Sequence, residues 1–489
     1  MNIKKATRST AIATLIAISL VACASVEPNA PLRSASEGLG VRNDLLNPPS
    51  AGMDVQTTTE DSGRWWLSLA NDELNALVEE AEARNKGVHA NVLAVEQARA
   101  LFSERRWDAF PRGGVAAGMS RQRLSGPDVD PFGGDVRGPT RELAQADLSA
   151  TWEIDLFGRN KARRAISEGA LDIAGADLLA SRALLQAQVV SAWTQWRATS
   201  EQMQILGEEI EAAELALSVQ QKRVDAGIDD QRSVDGPTAL LAERRALRSE
   251  TEARNAIARS ALAVLRGRTP GDDGLLVPDD EPLPIPPSID SLAGSEGLLI
   301  RRPDVVRAKA AYKQSVGAAA LASAAFLPEL RLDFSGGVLQ RPGGLDLSSA
   351  GRWAAGGILQ WNPLDWARLR AQARAAGAQS EAAFVALEAT VLEAVKDAED
   401  RVSDAKASVS MLSQASVTAE RTAQSFRVAR ARHAAGLDGR LALVDAKLAM
   451  GETDRALLDA KASSIAAYAR AHLALATWQP SHDTGLPMR

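Results

Sequence analysis

The sequence predicts a mainly α-helical chain that also carries a membrane β-barrel segment, and three observations predict it. The first is a repeat. Trp152 opens WEIDLFGR, which ends at Arg159, and Trp361 opens WNPLDWAR, which ends at Arg368; RVDAG (Arg223 to Gly227) recurs as RHAAG (Arg432 to Gly436), all 209 residues apart. The second is the absence of proline from Arg159 to Gly227 and from Arg368 to Gly436, so each stretch can be one helix of about 100 Å. The third is a pair of short alternating runs ahead of each of these stretches, with the period of β-strands.

A further pair of landmarks, Phe110-Pro111 and Leu327-Pro328, is 217 residues apart. The difference falls between the proline and the tryptophan, where a hairpin loop can absorb it. A unit this long is a duplicated domain half rather than a solenoid repeat. The chain has 489 residues, 45% of them apolar, only 4% aromatic residues and a formal net charge of −6. The balanced charge gives no case for nucleic acid as a partner, and the Ala, Leu, Glu, Arg and Gln content favours long helices.

Taken in chain order, residues 1–22 read as a signal peptide. Lys4, Lys5 and Arg8 precede the apolar stretch AIATLIAISLVA, which is too short to span a bilayer as a mature helix. It ends in Leu20-Val21-Ala22-Cys23, and Cys23 is the only cysteine in the chain. That arrangement resembles a bacterial lipoprotein cleavage site, with Cys23 as the lipid attachment point. Residue 24 is Ala rather than Asp, so the implied address is the outer membrane. With Cys23 acylated, no disulfide can form. Residues 23–60 read as an irregular tether.

The first repeat spans 61–269. Asn71 is a candidate N-cap with Glu73 in the first turn, and helical patterning runs from there to Ala109. A hairpin follows at 113–156. In the run Leu143 to Leu156, Ala146, Leu148, Ala150, Trp152, Ile154 and Leu156 share one face, opposite Gln145, Asp147, Ser149, Thr151, Glu153 and Asp155. Such a strand is long enough to cross a bilayer at a tilt. The long helix comes next, turns at Gly227 and returns to about Leu265.

Residues 270–295 form a Pro-rich linker. The second repeat spans 296–478, with a hairpin at 329–364 read as strands Leu330 to Leu339 and Trp353 to Leu364. Its long helix carries heptads. Val391, Ala398, Ala405, Leu412, Ala419 and Phe426 form one column, and Val395, Val402, Val409 and Ala423 form a second, the pattern of a coiled-coil seam. The return helix ends at about Leu475, and 479–489 is a tail.

Two strands per repeat make four per chain, and four strands cannot close a barrel. An open edge in lipid leaves backbone groups unpaired. The chain must therefore oligomerise; a dimer gives eight strands, a trimer twelve, and the count leaves both open.

At this point the chain resembles the TolC family of outer-membrane efflux proteins, in particular its lipoprotein (NodT-like) branch. The resemblance covers about 61–478. It is carried by GLLIRRPDVVRAKA (Gly297 to Ala310), by FLPELRL (Phe326 to Leu332) and by the two turns ending in Gly227 and Gly436. It implies a homotrimer with a twelve-stranded barrel and an α-helical periplasmic tunnel. Such a trimer docks on a periplasmic adaptor fed by an inner-membrane resistance-nodulation-division pump. The family's adaptor-docking tip is a small residue, a glycine, an apolar residue and an aspartate some eight or nine positions on. Here that maps to Ala226-Gly227-Ile228 with Asp235, and to Ala435-Gly436-Leu437 with Asp445. Leu441 and Asp445 match the spacing of a closing aperture in some members. Those members carry an arginine three residues after the aspartate, where this chain has Leu448, with Lys447 beside it. Glycine suits the positive φ of such a turn, and the apolar neighbour can enter a partner's groove.

Trp353, Trp361 and Trp366 fall at strand ends, where aromatic belts sit, and Trp65-Trp66 reads as packing within the helices. The acidic pairs Asp229-Asp230 and Asp279-Asp280 read as solvated loop charges. His89, His433, His472 and His482 lack metal-site spacing, and no P-loop, GxSxG or dinucleotide turn occurs. No metal, cofactor or enzymatic activity is expected. The leading reading is the exit duct of a tripartite drug or small-molecule efflux system. Two others are the duct of a type I protein-secretion system and a structural periplasmic lipoprotein without a pore.

Overall fold

The computed structural model of the chain describes residues 64–123, 140–272, 281–289, 301–340 and 351–477. The signal segment, Cys23, the tether, most of the Pro-rich linker (with Asp279-Asp280) and the C-terminal tail lie outside the described residues. The chain divides into two compact units, Arg105–Ile166 with Ser315–Ala382 in one, and the remaining helical residues in the other.

The first unit is built around one antiparallel sheet. Its strands are β1 (Arg112–Arg123), β2 (Thr140–Ile154), β3 (Glu329–Gln340) and β4 (Gly351–Gln360), in the spatial order β1-β2-β3-β4. The register decides which side chains share a face. Leu148 faces Val115 and Gly336, Ala150 faces Gly113 and Phe334, and Leu330 faces Leu359. Val115, Ala117 and Met119 therefore lie with Ala144, Ala146, Leu148, Ala150, Trp152 and Ile154, then with Leu330, Leu332, Phe334 and Val338, then with Trp353, Ala355 and Leu359. Apart from Gln340, opposite Ala144, this face is apolar, and it is open to the surroundings; Val115, Met119 and Trp353 are each more than three-quarters exposed.

From Ala144 to Ile154 the apolar run is about 33 Å of strand, or about 25 Å of height at the usual barrel tilt. Arg121 and Glu142, paired at 3.2 Å, close the band at the hairpin-loop end. The two outer strands, β1 and β4, are exposed along their whole length.

Two strand ends differ from the sequence reading. β2 stops at Ile154, short of Leu156, because the Asp155 carboxylate accepts from the Lys161 backbone N–H and turns the chain into the next helix. β4 stops at Gln360, short of Leu364, because Pro363 opens a single 3-10 turn, Pro363–Asp365, and proline has no N–H for a ladder. Trp152 and Trp361 do the same work in the two repeats. Each indole N–H donates to a carbonyl just ahead of the proline landmark, Ala109 O and Phe326 O, both at 3.0 Å. Arg159 donates to Ala324 O and Leu327 O and pairs with Glu329 at 3.0 Å, fixing where a helix ends and β3 begins.

The second unit is helical. Its first helix, α1 (Asp72–Arg84), is capped by Asn71, whose side chain accepts from Leu74 N at 2.8 Å. The predicted run to Ala109 is broken once. Asn85 is a second cap, accepting from the N–H groups of Gly87 and Val88, and it starts α2 (Lys86–Trp107). The two proline-free stretches are single helices, α3 (Arg159–Asp225) and α6 (Trp366–Ala434). Their returns are α4 (Asp235–Leu265) and α7 (Arg440–Ala474), and α5 (Pro303–Ala324) precedes β3.

The core of this unit gathers Trp65, Trp66, Leu74, Trp193, Trp196, Leu262, Ile465 and Tyr468. In α6 the first heptad column from Val391 to Ala419 is buried, as read. The second buried column is Ala394 and Ser408, three residues on rather than four, and Val409 of the predicted column is exposed. Partners meet along that inner stripe; Thr422 bonds Thr453 of α7 at 2.5 Å.

Candidate functional site

The two helix turns of the second unit have the same construction. Gly227 and Gly436 adopt φ of +63° and +73°. Around the first, Gly227 N donates to Val224 O and Ile228 N to Arg223 O; around the second, Gly436 N donates to His433 O and Leu437 N to Arg432 O, all at 2.9–3.0 Å. This is a helix C-cap closed by a glycine in the left-handed region, which satisfies carbonyls the helix end would leave free. No atom lies within 4 Å of where a Cβ would sit on either glycine, so the backbone angle alone selects glycine.

The apolar residues that follow, Ile228 and Leu437, are 64% and 68% exposed. An isoleucine and a leucine standing out of matching turns are free to enter a partner's groove. An ion pair pins each turn from below. Arg223 bonds Asp229 at 2.6 Å and Arg432 bonds Asp438 at 2.7 Å. The arginine beside each carboxyl holds it below the usual carboxylate range.

Asp229 is thus a latch rather than a solvated loop charge, because it lies six residues after the arginine whose carbonyl closes the turn. Its neighbour Asp230 caps the short 3-10 turn Gln231–Val234. The sequence signal was present, since arginine, glycine and aspartate recur at the same offsets in RVDAGID and RHAAGLD.

The aperture candidates sit early in α7. Leu441 is half-buried against Ala216, Val444 and Leu448. Asp445 is exposed and makes no hydrogen bond or ion pair among the described residues. Lys447 is engaged elsewhere, paired with Glu208 and lying over the Phe426 ring at 5.4 Å. Next to Glu208 in the chain, the buried Glu209 carboxylate accepts from Arg455 at 3.0 Å and pairs with Arg244 at 3.2 Å. It ties α3 to both return helices. Gly451 leaves the space for it, since a Cβ there would collide with the Glu209 carboxylate.

The RRPDV signature is also structural. Arg302 bonds Asp304 at 2.8 Å, Asp397 at 3.0 Å and Ala474 O at 2.8 Å, joining the start of α5 to α6 and to the end of α7. Burial opposes the charge on Arg302, and its bonds to Asp304 and Asp397 outweigh that, so its pKa is raised.

In the first unit, the face opposite the apolar one is polar. Asp147, Gly337 and Arg352 are neighbours across three strands. Arg352 reaches over Gly337 to hold both oxygens of Asp147 at 2.7 Å, and a Cβ on residue 337 would collide with the Asp147 carboxylate and Ala146 O. Thr151 donates to Asp333 at 2.8 Å, and Arg331 pairs with Asp333 at 3.3 Å. Ala116, Leu143, Leu339, Ala354 and Ile358 are the apolar exceptions on this face. Ion-paired side chains on one side and unbroken apolar side chains on the other are what a water-filled barrel in lipid requires.

Among the described residues no helix is long and apolar enough to cross a membrane, and no cluster of His, Cys, Asp and Glu could hold a metal ion.

Known proteins match the chain in both repeats. The outer membrane efflux protein family matches residues 77–268 and 295–477. The outer membrane protein OprJ of Pseudomonas aeruginosa is 26% identical, over 91% of this chain and 91% of its own. A probable outer membrane lipoprotein of Salmonella typhimurium, SilC, is 23% identical over 90% of this chain and 92% of its own. The solved structure of the outer-membrane channel OprN superposes with a TM-score of 0.75 at 26% identity, covering 86% of this chain and 93% of that one. Two family segments, a four-stranded sheet with lipid and water faces, and paired long helices lead to one conclusion: the chain belongs to the outer membrane efflux protein family, whose members are passive ducts and not enzymes.

Proposed function

We propose that three copies of this chain form the outer-membrane exit duct of a tripartite pump for drugs or other small molecules. The observation that carries this reading is the sheet of the first unit. It has an apolar face of bilayer height, an ion-paired polar face and two exposed outer strands. An edge in lipid must be paired, so β4 of one copy joins β1 of the next. Eight strands leave an interior that side chains fill, whereas twelve leave room for water around Asp147, Arg352, Asp333 and Arg331. That favours the trimer over the dimer.

The exposed Ile228 and Leu437, each on a latched turn, are the residues we assign to docking on a periplasmic adaptor. That adaptor would be loaded by an inner-membrane resistance-nodulation-division pump. Asp445 is the residue we assign to the aperture, with Leu441 as its packing support. Three copies of Asp445 about a threefold axis would form an acidic ring. Lys447 is occupied by Glu208, so no salt-bridge lock of the arginine type forms through it. Cys23 is the proposed lipid anchor. Its signal context supports it, and the lipoprotein name of SilC agrees.

Photo-crosslinkers placed at Ile228 and Leu437 test the docking assignment. Both should capture the adaptor in cells, while one placed at exposed Leu93 should not. Capture at none of the tip positions, with normal surface levels and normal drug tolerance, would remove the tips from the mechanism. Mass spectrometry of the mature N-terminus should find a triacylated Cys23; an unmodified cysteine would end the anchor assignment.

A further inference from the structure

Where the apolar band meets the helices of its own unit, the surface carries a groove of about 310 Å³. Its floor is Trp152 and Ile154, both on the apolar face of the sheet. Its walls carry Arg105 and Arg106 from the end of α2, and Lys161 and Arg164 from the start of α3. Two carboxylates, Glu153 and Asp155, also line it. Glu153 is held by Arg163 at 3.0 Å, and Asp155 accepts from the Lys161 backbone N–H. Arg105 is paired with Asp108 at 3.3 Å. Arg106, Lys161 and Arg164 are exposed and have no ion-pair partner among the described residues. Three cations without an ion-pair partner, set against the single carboxylate of Asp155 that only a backbone N–H meets, thus ring an apolar floor continuous with the membrane-facing band.

We propose that this groove binds the head group of an anionic phospholipid in the periplasmic leaflet, with the acyl chains lying on the apolar face below Trp152. The inference rests on the outer-membrane placement of the sheet. At the opposite end of the band Arg121 is neutralised by Glu142, unlike Arg106, Lys161 and Arg164. Phosphate suits the guanidinium groups of Arg106 and Arg164, which can offer it two parallel donors. A soluble phosphate would gain those bonds alone. A phospholipid adds burial of its acyl carbons against Leu148, Trp152 and Ile154, and so commits the site to lipid.

Native mass spectrometry of the detergent-purified assembly tests this, with phosphatidylglycerol, phosphatidylcholine or inorganic phosphate added. The wild-type protein should retain phosphatidylglycerol, up to one molecule per chain, and retain little phosphatidylcholine. Inorganic phosphate should not displace the lipid. Combined Arg106→Gln, Lys161→Gln and Arg164→Gln should weaken retention roughly 100-fold, given the attraction expected of each cation at an anionic surface. Arg106→Lys with Arg164→Lys keeps the charge but not the paired donors, and should retain more lipid than the Gln variant and less than the wild type. If the triple variant does not assemble, Arg106→Gln alone should still weaken retention several-fold. Equal retention by wild type and variant, displacement by inorganic phosphate, or no lipid on the wild-type assembly overturns the proposal. The same spectrum reports the mass of the assembly, so a failed trimer and a failed lipid site are read separately.

Discussion

Gly227 and Gly436 hold φ of +63° and +73° with open space where a Cβ would project. A valine at either position meets backbone strain alone, roughly 1–2 kcal/mol for each turn. Gly227→Val with Gly436→Val should therefore leave the assembly intact in detergent and displace Ile228 and Leu437. Adaptor crosslinking and drug tolerance should both fall at normal surface level; unchanged crosslinking would contradict the assignment. A second residue makes a pH prediction. His472 stacks on Trp65 at 5.2 Å, its Nδ1 bonds Thr477, and its Nε2 is buried without a partner. Burial pushes its pKa down to about 4. Between that value and about 6.5 the unfolded chain takes up a proton that the folded chain excludes. Stability is thus full above about pH 6.5 and falls as pH drops toward 4, by about 3 kcal/mol in all. His472→Phe should flatten the fall of the thermal midpoint between pH 6.5 and pH 4.5, and an unchanged slope would refute the burial argument. At this scale the sequence was legible where one residue type has one physical use, as with the two glycines and the Asn71 cap. It was less legible for Asp229 and Asp438, whose role depends on an arginine one helical turn and a half earlier.

Among the elements, the network at Glu209 sets how α3, α4 and α7 are held together. Its carboxylate is buried between Arg244 and Arg455, so Glu209→Gln leaves the largely buried Arg455 without its carboxylate and Arg244 with only the more distant Glu243, at 3.6 Å. A loss of about 3 kcal/mol is expected for breaking a buried pair of this kind, read as an earlier melting of helical circular dichroism. Gly451→Ala should act in the same direction by displacing the carboxylate; a melt identical to wild type for both variants would contradict the network. The sheet has its counterpart in Gly337. An alanine there collides with the Ala146 carbonyl and the Asp147 carboxylate, at an expected cost of roughly 1–3 kcal/mol per chain. The assembly should dissociate at a lower temperature on an unheated-versus-heated gel, and an unaltered dissociation temperature would show that the strands can part freely. Strand and helix identities were legible because the two periods differ and because proline is absent from α3 and α6. The ends were less so. Asn85, Asp155 and Pro363 each stop an element by a local bond or a missing donor, which periodicity does not register. The seam of α6 was read with its second column one residue late, at Val395 and Val409. Small residues stand at i+3 (Ala394, Ser408) and valines at i+4 (Val395, Val409), and a heptad count alone does not choose between the two columns.

For the whole molecule, the decisive property is that the described residues of one chain supply four strands, whose outer edges they cannot satisfy. The repeat explains the count, and the apolar and ion-paired faces say which side meets lipid and which meets water. The proposed partners, cargo and Cys23 lipid are not written in packing, since they would act on exposed tips, on a lumen and on a segment before the first helix. The central claim is that closure of a water-filled barrel requires three chains, and one sample can test it. The purified protein is weighed by native mass spectrometry and the same fraction is inserted into planar bilayers. The expected result is a mass of three mature chains and discrete ion-conducting steps from that fraction, with none from monomer separated out of it. A monomer or dimer that conducts by itself, or a trimer that never conducts, would contradict it.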